Sequence, residues 1–161
     1  MSSKEYKRRS IASAVMKEAW IIKRKTILYV YNIGTALKLA WMTIRCRIKY
    51  YYSKVRGTSY SNHQQVLKKL LSLATTDVLL TFIREPDNVY DSNAIRINAF
   101  SNQLYCGSIG YLSKVLAAKI APLIDEGHIA IVKYDGVTGA DRAGYLGCNF
   151  RFTIIEKAAY I

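Results

Sequence analysis

The stretch Ile83–Ile97, IREPDNVYDSNAIRI, places two short apolar ends around a knot of Glu85, Asp87, Asn88, Tyr90, Asp91 and Asn93. The ends read as two strands, because apolar and β-branched residues flank a cluster of turn formers. Pro86 stops the first strand, and Asp87, Asn88 and Asn93 carry side chains able to fold back on their own backbone as Asx turns. Tyr90 and Asp91 fit a plain turn less well. A loop-tip tyrosine beside a carboxylate offers a flat apolar face next to a strong hydrogen-bond acceptor. Such a pair suits stacking of a nucleobase and acceptance from a sugar hydroxyl.

Outward from this loop, short apolar runs alternate with turn residues. Asp77–Arg84, Asn93–Phe100, Leu104–Ile109, His128–Tyr134 and Gly147–Ile155 read as strands. Two segments read as helices: residues 62–74 (NHQQVLKKLLSLA) and residues 113–126 (SKVLAAKIAPLIDE). The second opens on a capping Ser113 and closes before Gly127, with Pro122 expected to bend or shorten its last turn. Residues 137–144 (VTGADRAG) have the composition of a loop. Strands at this spacing with two helices predict an α+β domain built as a small closed or half-closed antiparallel barrel, over residues 52–157.

The first fifty residues have another texture. Lys17-Glu18-Ala19-Trp20 with Arg24 is echoed 21 residues later by Lys38-Leu39-Ala40-Trp41 with Arg45. Ile11, Val15, Trp20 and Ile22, then Leu37, Trp41, Ile44 and Ile48, recur at helical spacing, with Ser10 as the first cap. Two helices, residues 11–25 and 35–50 joined by residues 29–34, are therefore expected to form a hairpin with both tryptophans inside. That leaves Lys23, Arg24, Lys25, Arg45, Arg47 and Lys49 at solvated ends, where they either contact phosphates or form a charged face that touches nothing.

The net charge of +13 is concentrated here. Residues 1–60 hold 14 Lys and Arg against 2 acidic residues, a net of +12, and residues 61–161 hold 10 against 9, a net of +1. The basicity suits a polyanion such as nucleic acid. Residues 26–44 are nearly long enough to span a bilayer, but Lys38 would lie inside it, Asn32 and Gly34 divide the run, and basic clusters flank both ends. Soluble helices are the favoured reading. Cys46, Cys106 and Cys148 lie far apart and no signal peptide is legible, so free thiols and a cytoplasmic setting are expected. With His63 and His128 they show no metal-ligand spacing, and no metal or other cofactor is expected. Nor does an enzyme emerge. The carboxylates near Pro86-Asp87 lack the acid-x-Lys pair that metal-dependent nucleases need, and no phosphate-binding loop of the GxxxxGK type is present.

The run IREPDNVYDSNAIRI, followed after a short hairpin by GSIGYLSKVLAAKIAPLIDEG, resembles the HIRAN domain, whose hallmark is a REPxNxYDxNAI loop, an IGYL strand end and an LA-rich helix. Residues 55–67 (VRGTSYSNHQQVL) are similar to that family's first strand and helix. The resemblance covers residues 52–155, and suggests a stand-alone member of the bacterial or phage kind. It implies an OB-like barrel that binds DNA without catalysis, by capturing the 3′-hydroxyl end of a single strand. On the matching positions Tyr90 would be a stacking platform and Asp91 the acceptor for the terminal hydroxyl. Tyr60 would be a first-strand aromatic sandwiching a base, and Tyr111 and Lys114 would lie beside a phosphate. Ser59 stands where an end-binding member carries arginine, and Val89 where proline is common. A helicase or nuclease on another chain is the expected partner. Two other readings stay open: a protein-interaction module using Trp20, Trp41 and residues 50–52, and attachment to an anionic membrane surface through the basic helices.

Overall fold

A computed structural model of the chain describes residues 12–17, 19–20, 23, 33–45, 50–140 and 144–155. The chain divides into two compact units, the described residues up to 45 falling in the first and those from Tyr50 to Ile155 in the second. In the first, residues 12–17 are helical and helix α1 runs Ile33–Arg45. Gly34 thus lies inside a helix rather than in a connection. Val15, Ala19, Ala36 and Ala40 are buried, four residues apart in each pair and so on one face of each helix. Trp20 and Trp41 are 46% and 40% exposed, which corrects the expectation that both are inside. Each follows a buried alanine by one residue, and one step turns the side chain by about 100° around the axis, off the buried face. Residues 24–32, with Arg24, Lys25 and most of the expected connection 29–34, lie outside the described residues, as do Cys46, Arg47 and Lys49. No helix among the described residues is long and apolar enough to cross a membrane.

The second unit contains strands β1 (Tyr51–Lys54), β2 (Val78–Arg84), β3 (Ile95–Ser101), β4 (Leu104–Tyr111), β5 (Ile129–Thr138) and β6 (Gly147–Ile155), with helices α2 (Ser61–Leu71) and α3 (Lys114–Asp125). Two antiparallel three-stranded sheets result, ordered β1-β6-β5 and β2-β3-β4. Alternation dictates their inner faces. Val78 and Leu80 on β2, Ile95 and Ile97 on β3, and Phe150 and Phe152 on β6 are buried. The sheets meet where Phe82 of β2 packs edge-on against Phe150 at 5.9 Å and Phe152 at 5.3 Å. Helix α2 adds Val66, Leu67 and Leu70 to this core, and α3 adds Ala117, Ile120 and Ala121. Cys148 lies deep in it, and burial pushes its thiol up to about 12, so it stays protonated as a core residue.

One seam between the sheets is closed by backbone. Val55 N–H still bonds Cys148 on β6 at 3.0 Å, and Arg56 then exchanges two hydrogen bonds with Tyr111 at the end of β4, at 2.8 and 2.9 Å. The chain thus leaves one sheet and joins the other within two residues, giving the small half-closed, OB-like α+β architecture. Gly110 makes the approach possible. Its φ is +136°, and a Cβ there would collide with the Arg56 carbonyl and the Val55 side chain. Across the barrel, the Gln64 amide bonds the backbone of Leu146 in both directions, each at 2.9 Å, and donates to Thr58. It pins α2 to the entrance of β6.

Several boundaries differ from those read in the sequence. Strand β1 fell in what looked like a domain boundary, because three consecutive tyrosines give no alternating pattern. Helix α2 ends at Leu71 with Ser72 as its C-cap, and β5 runs on to Thr138, into the expected loop, of which residues 141–143 lie outside the described residues. Ser113 holds the N-cap position of α3 without a side-chain capping bond. Pro122 is accommodated inside α3, which ends in a Schellman arrangement: Gly127, at φ +91°, donates to Ile124, and His128 donates to Leu123.

The loop after β2 is clamped to α3. Arg84 makes a two-pronged pair with Asp125, both bonds 2.9 Å, and its remaining arm donates to the carbonyls of Ser92 and Ala94. The Arg84 bond holds the exposed Asp125 carboxyl below its ordinary pKa. A depressed folded pKa contributes stability above the usual aspartate range near pH ~4 and loses it as pH falls through the folded value. Two results are expected. Gly110→Ala lowers the urea midpoint, with m unchanged, by the equivalent of about 2 kcal/mol or more. Asp125→Asn leaves the midpoint within about 1 kcal/mol, but raises amide exchange at residues 85–94 at neutral pH. Unchanged exchange there would show that the clamp does not order the loop.

Candidate nucleic-acid interface

Residues 85–94 are ordered by side chains that replace missing backbone partners. Asn88 Oδ1 accepts from the N–H groups of Tyr90 and Asp91 at 3.0 and 3.3 Å, and Asp91 Oδ1 accepts from Asn93 N–H at 2.9 Å. The Ala94 and Asn88 N–H groups bond the carbonyls of Asp91 and Glu85. The side chains that fold back are thus Asn88 and Asp91, where the sequence suggested Asp87, Asn88 and Asn93. Nested turns of this kind push the loop tip outward, leaving Val89 94% and Tyr90 93% exposed.

Glu85 is the hub beneath the tip. One of its oxygens pairs with Arg96 at 2.8 Å, the other accepts from Asn88 Nδ2 at 2.9 Å, and it is hydrogen-bonded to the Tyr111 phenol. Burial, and then Glu85, raise the Tyr111 pKa, so the phenol stays neutral. The loop is therefore less acidic than its composition: Glu85 is offset by Arg96, and Asp91 lies in the field of Arg84. Neither Glu85 nor Arg96 stood out as a site residue in the sequence, since an acid and a base eleven positions apart give no local signal until β2 and β3 pair.

Tyr60 is 67% exposed and occupies the N-cap of α2, after a turn through Gly57. It is not on the first strand, where the resemblance put it, because the chain leaves the sheets at Arg56. From the first turn of α2, His63 projects between two tyrosines, edge-on to Tyr60 at 5.8 Å and to Tyr111 at 6.5 Å, with Nδ1 2.7 Å from the Gly57 carbonyl. Contacts thus join Tyr60, His63, Tyr111, Glu85, Asn88 and the turn bearing Tyr90 and Asp91. Lys114 opens α3 three residues beyond Tyr111 and is exposed. Lys23, in the other unit, lies 5.3 Å over the Trp20 ring. Arg45 ends α1, its side chain outside the description, and Arg24, Lys25, Arg47 and Lys49 belong to the undescribed residues. Among the described residues no three His, Cys, Asp or Glu side chains gather as a metal site.

The arrangement offers exposed aromatic faces, an ordered carboxylate and a lysine at a helix start. Comparison with known proteins adds a family. A putative SWI/SNF-related matrix-associated actin-dependent regulator of chromatin, subfamily A member 3-like 1, of Arabidopsis thaliana is 41% identical over 54 residues, 33% of this chain. The match spans only 6% of that much longer protein. Among solved structures, the HIRAN domain of human HLTF aligns at 20% identity and a TM-score of 0.41, covering 69% of this chain and 79% of that one. A protein from Lactobacillus plantarum aligns at 22% and 0.39, covering 65% and 99%. The HIRAN domain family model matches residues 48–155, well over half of the sequence, and the chain belongs to that family.

Proposed function

We propose that this HIRAN protein is a non-catalytic DNA-binding module that captures the 3′-hydroxyl end of a single strand. The carrying observation is the loop tip. Turns built by Asn88 and Asp91 hold Tyr90 almost fully exposed beside a carboxylate, while the neighbouring Glu85 is neutralised by Arg96. Tyr90 and Tyr60 stack bases, each contributing about 1–3 kcal/mol. Asp91 spends Oδ1 on its own turn, so Oδ2 accepts the terminal hydroxyl. That role requires a donor, and a 3′-phosphate offers repulsion instead. Phosphate attraction falls to Lys114 at the start of α3, whose first turn has no acidic residue and whose N–H groups point toward an anion. The basic helices, with Lys23, Arg24, Lys25, Arg45, Arg47 and Lys49, add salt-sensitive attraction. A helicase or nuclease on another chain would act on the captured end.

The half-exposed Trp20 and Trp41 favour a second role for the first unit, as a contact surface for that protein partner.

Titration of labelled single strands ending in 3′-hydroxyl, 3′-phosphate or a blocked duplex tests the reading. The hydroxyl end is expected to bind tighter by about ten-fold or more, the worth of one charged hydrogen bond. Asp91→Asn, which keeps the Oδ1 turn acceptor but removes the charge, is expected to erase most of that preference. Equal affinity for all three ends in the wild type would leave only non-specific charge.

A further inference from the structure

The edge strand β1 and the residues flanking it carry a second, independent pattern. Successive residues of a strand point to opposite faces. Val55 is buried and Tyr51 stacks on Phe152 at 5.5 Å, which makes 51, 53 and 55 the inward set. Tyr52, Lys54 and Arg56 are exposed. Tyr50, half-buried and with its hydroxyl covered, continues this row, its ring 5.2 Å from the Lys133 ammonium and 5.9 Å from the Arg151 guanidinium. Those two cations face each other across β5 and β6, and Arg151 pairs in register with Tyr52. The row therefore runs from two rings, Tyr50 and Tyr52, into two cations, Lys54 and Arg56, over a distance of roughly 20 Å. Its far end leads through Gly57 to Tyr60 of the interface above.

The charge on this face is mostly positive. No acidic residue occurs in the sequence between Glu18 and Asp77. Asp135 is paired to Arg151 at 3.2 Å, and Lys54 and Arg56 lie exposed on this face. Two flat rings leading into two cations along an extended path match a single-stranded nucleic acid, whose bases stack on rings while its phosphates track the charges. A duplex has no free base faces to offer such rings, and an acidic peptide has no planar bases.

We infer that the outward row Tyr50, Tyr52, Lys54 and Arg56, backed by Lys133 and Arg151, is a track for the internal part of a single DNA strand whose end lies at Tyr60 and Asp91. The track deepens the end-binding reading and rests on its DNA ligand, but not on Asp91. Its contribution grows with strand length, where the end contribution does not.

The full chain is titrated with a thymidine trinucleotide and a thymidine dodecamer, both with free 3′-hydroxyls, at several salt concentrations. The wild type is expected to bind the dodecamer more tightly. In Tyr52→Ala/Lys54→Gln/Arg56→Gln, dodecamer affinity falls at least ten-fold, toward that of the trinucleotide. Its salt slope falls by about 1.4, the share of two cations on a single strand. Trinucleotide affinity and the preference for a hydroxyl over a phosphate end stay as they were. Undiminished length gain and slope would overturn the track. So would undiminished gain accompanied by self-association on gel filtration, which would mark the charges as guards of an edge strand. The two readings fail separately: Asp91→Asn removes end preference and leaves the length gain, whereas the triple variant does the reverse.

Discussion

The pair of hydrogen bonds between Arg56 and Tyr111 holds the rest of the second unit in register. Two three-stranded sheets with one apolar face each could pack in many ways, since hydrophobic burial is non-directional. A backbone exchange is directional. It fixes where β1 ends, where β4 ends and which residues lie above the seam. Tyr111 contributes its backbone to the closure and its phenol to Glu85, so closing the barrel and supporting the loop are one event. The glycine in Ile109-Gly110-Tyr111-Leu112 follows from the same geometry, since any side chain at that point would force the strands apart.

Charge in the loop follows a related economy. Glu85 bonds Arg96, Asn88 and Tyr111, with only Arg96 Nε of this group left buried and unpartnered, and Arg84 joins the loop to α3 through Asp125. Groups that look like a dense acidic knot are consumed largely by internal bonds, as buried or half-buried polar atoms must be. The remaining surface at the tip is aromatic, with the carboxylates of Asp87 and Asp91.

Much of this was legible in the residues and some of it was not. Strands β2 to β6 and both helices of the barrel follow from alternation, caps and turn formers, because such signals are local. The Asn88 turn was legible for the same reason, whereas Asp91 as a turn acceptor was not, since its tyrosine neighbour suggested a ligand contact. The Glu85–Arg96 pair and His63 between two tyrosines depend on strand pairing and helix placement, which no short window encodes. Strand β1 hid behind Tyr50, Tyr51 and Tyr52, where facing is decided by partners on β6 rather than by polarity. In the first unit the tryptophans misled: bulk suggested core, yet the buried stripe belongs to the alanines beside them.

The bond from Gln64 to Leu146 crosses 82 residues of sequence. A chain emerging residue by residue makes α2 early and can pack it on β4, but the Gln64 bond waits for the entrance of β6. His63, one position before that glutamine, has meanwhile only its local bond to the Gly57 carbonyl and its ring contacts with Tyr60 and Tyr111. Closure of so long a loop comes late and is opposed by chain entropy. The wall that Tyr60, His63 and Tyr111 share is therefore fully fixed only once Leu146 is in place, and the same amide is a point at which losing β6 would loosen the opposite side of the barrel.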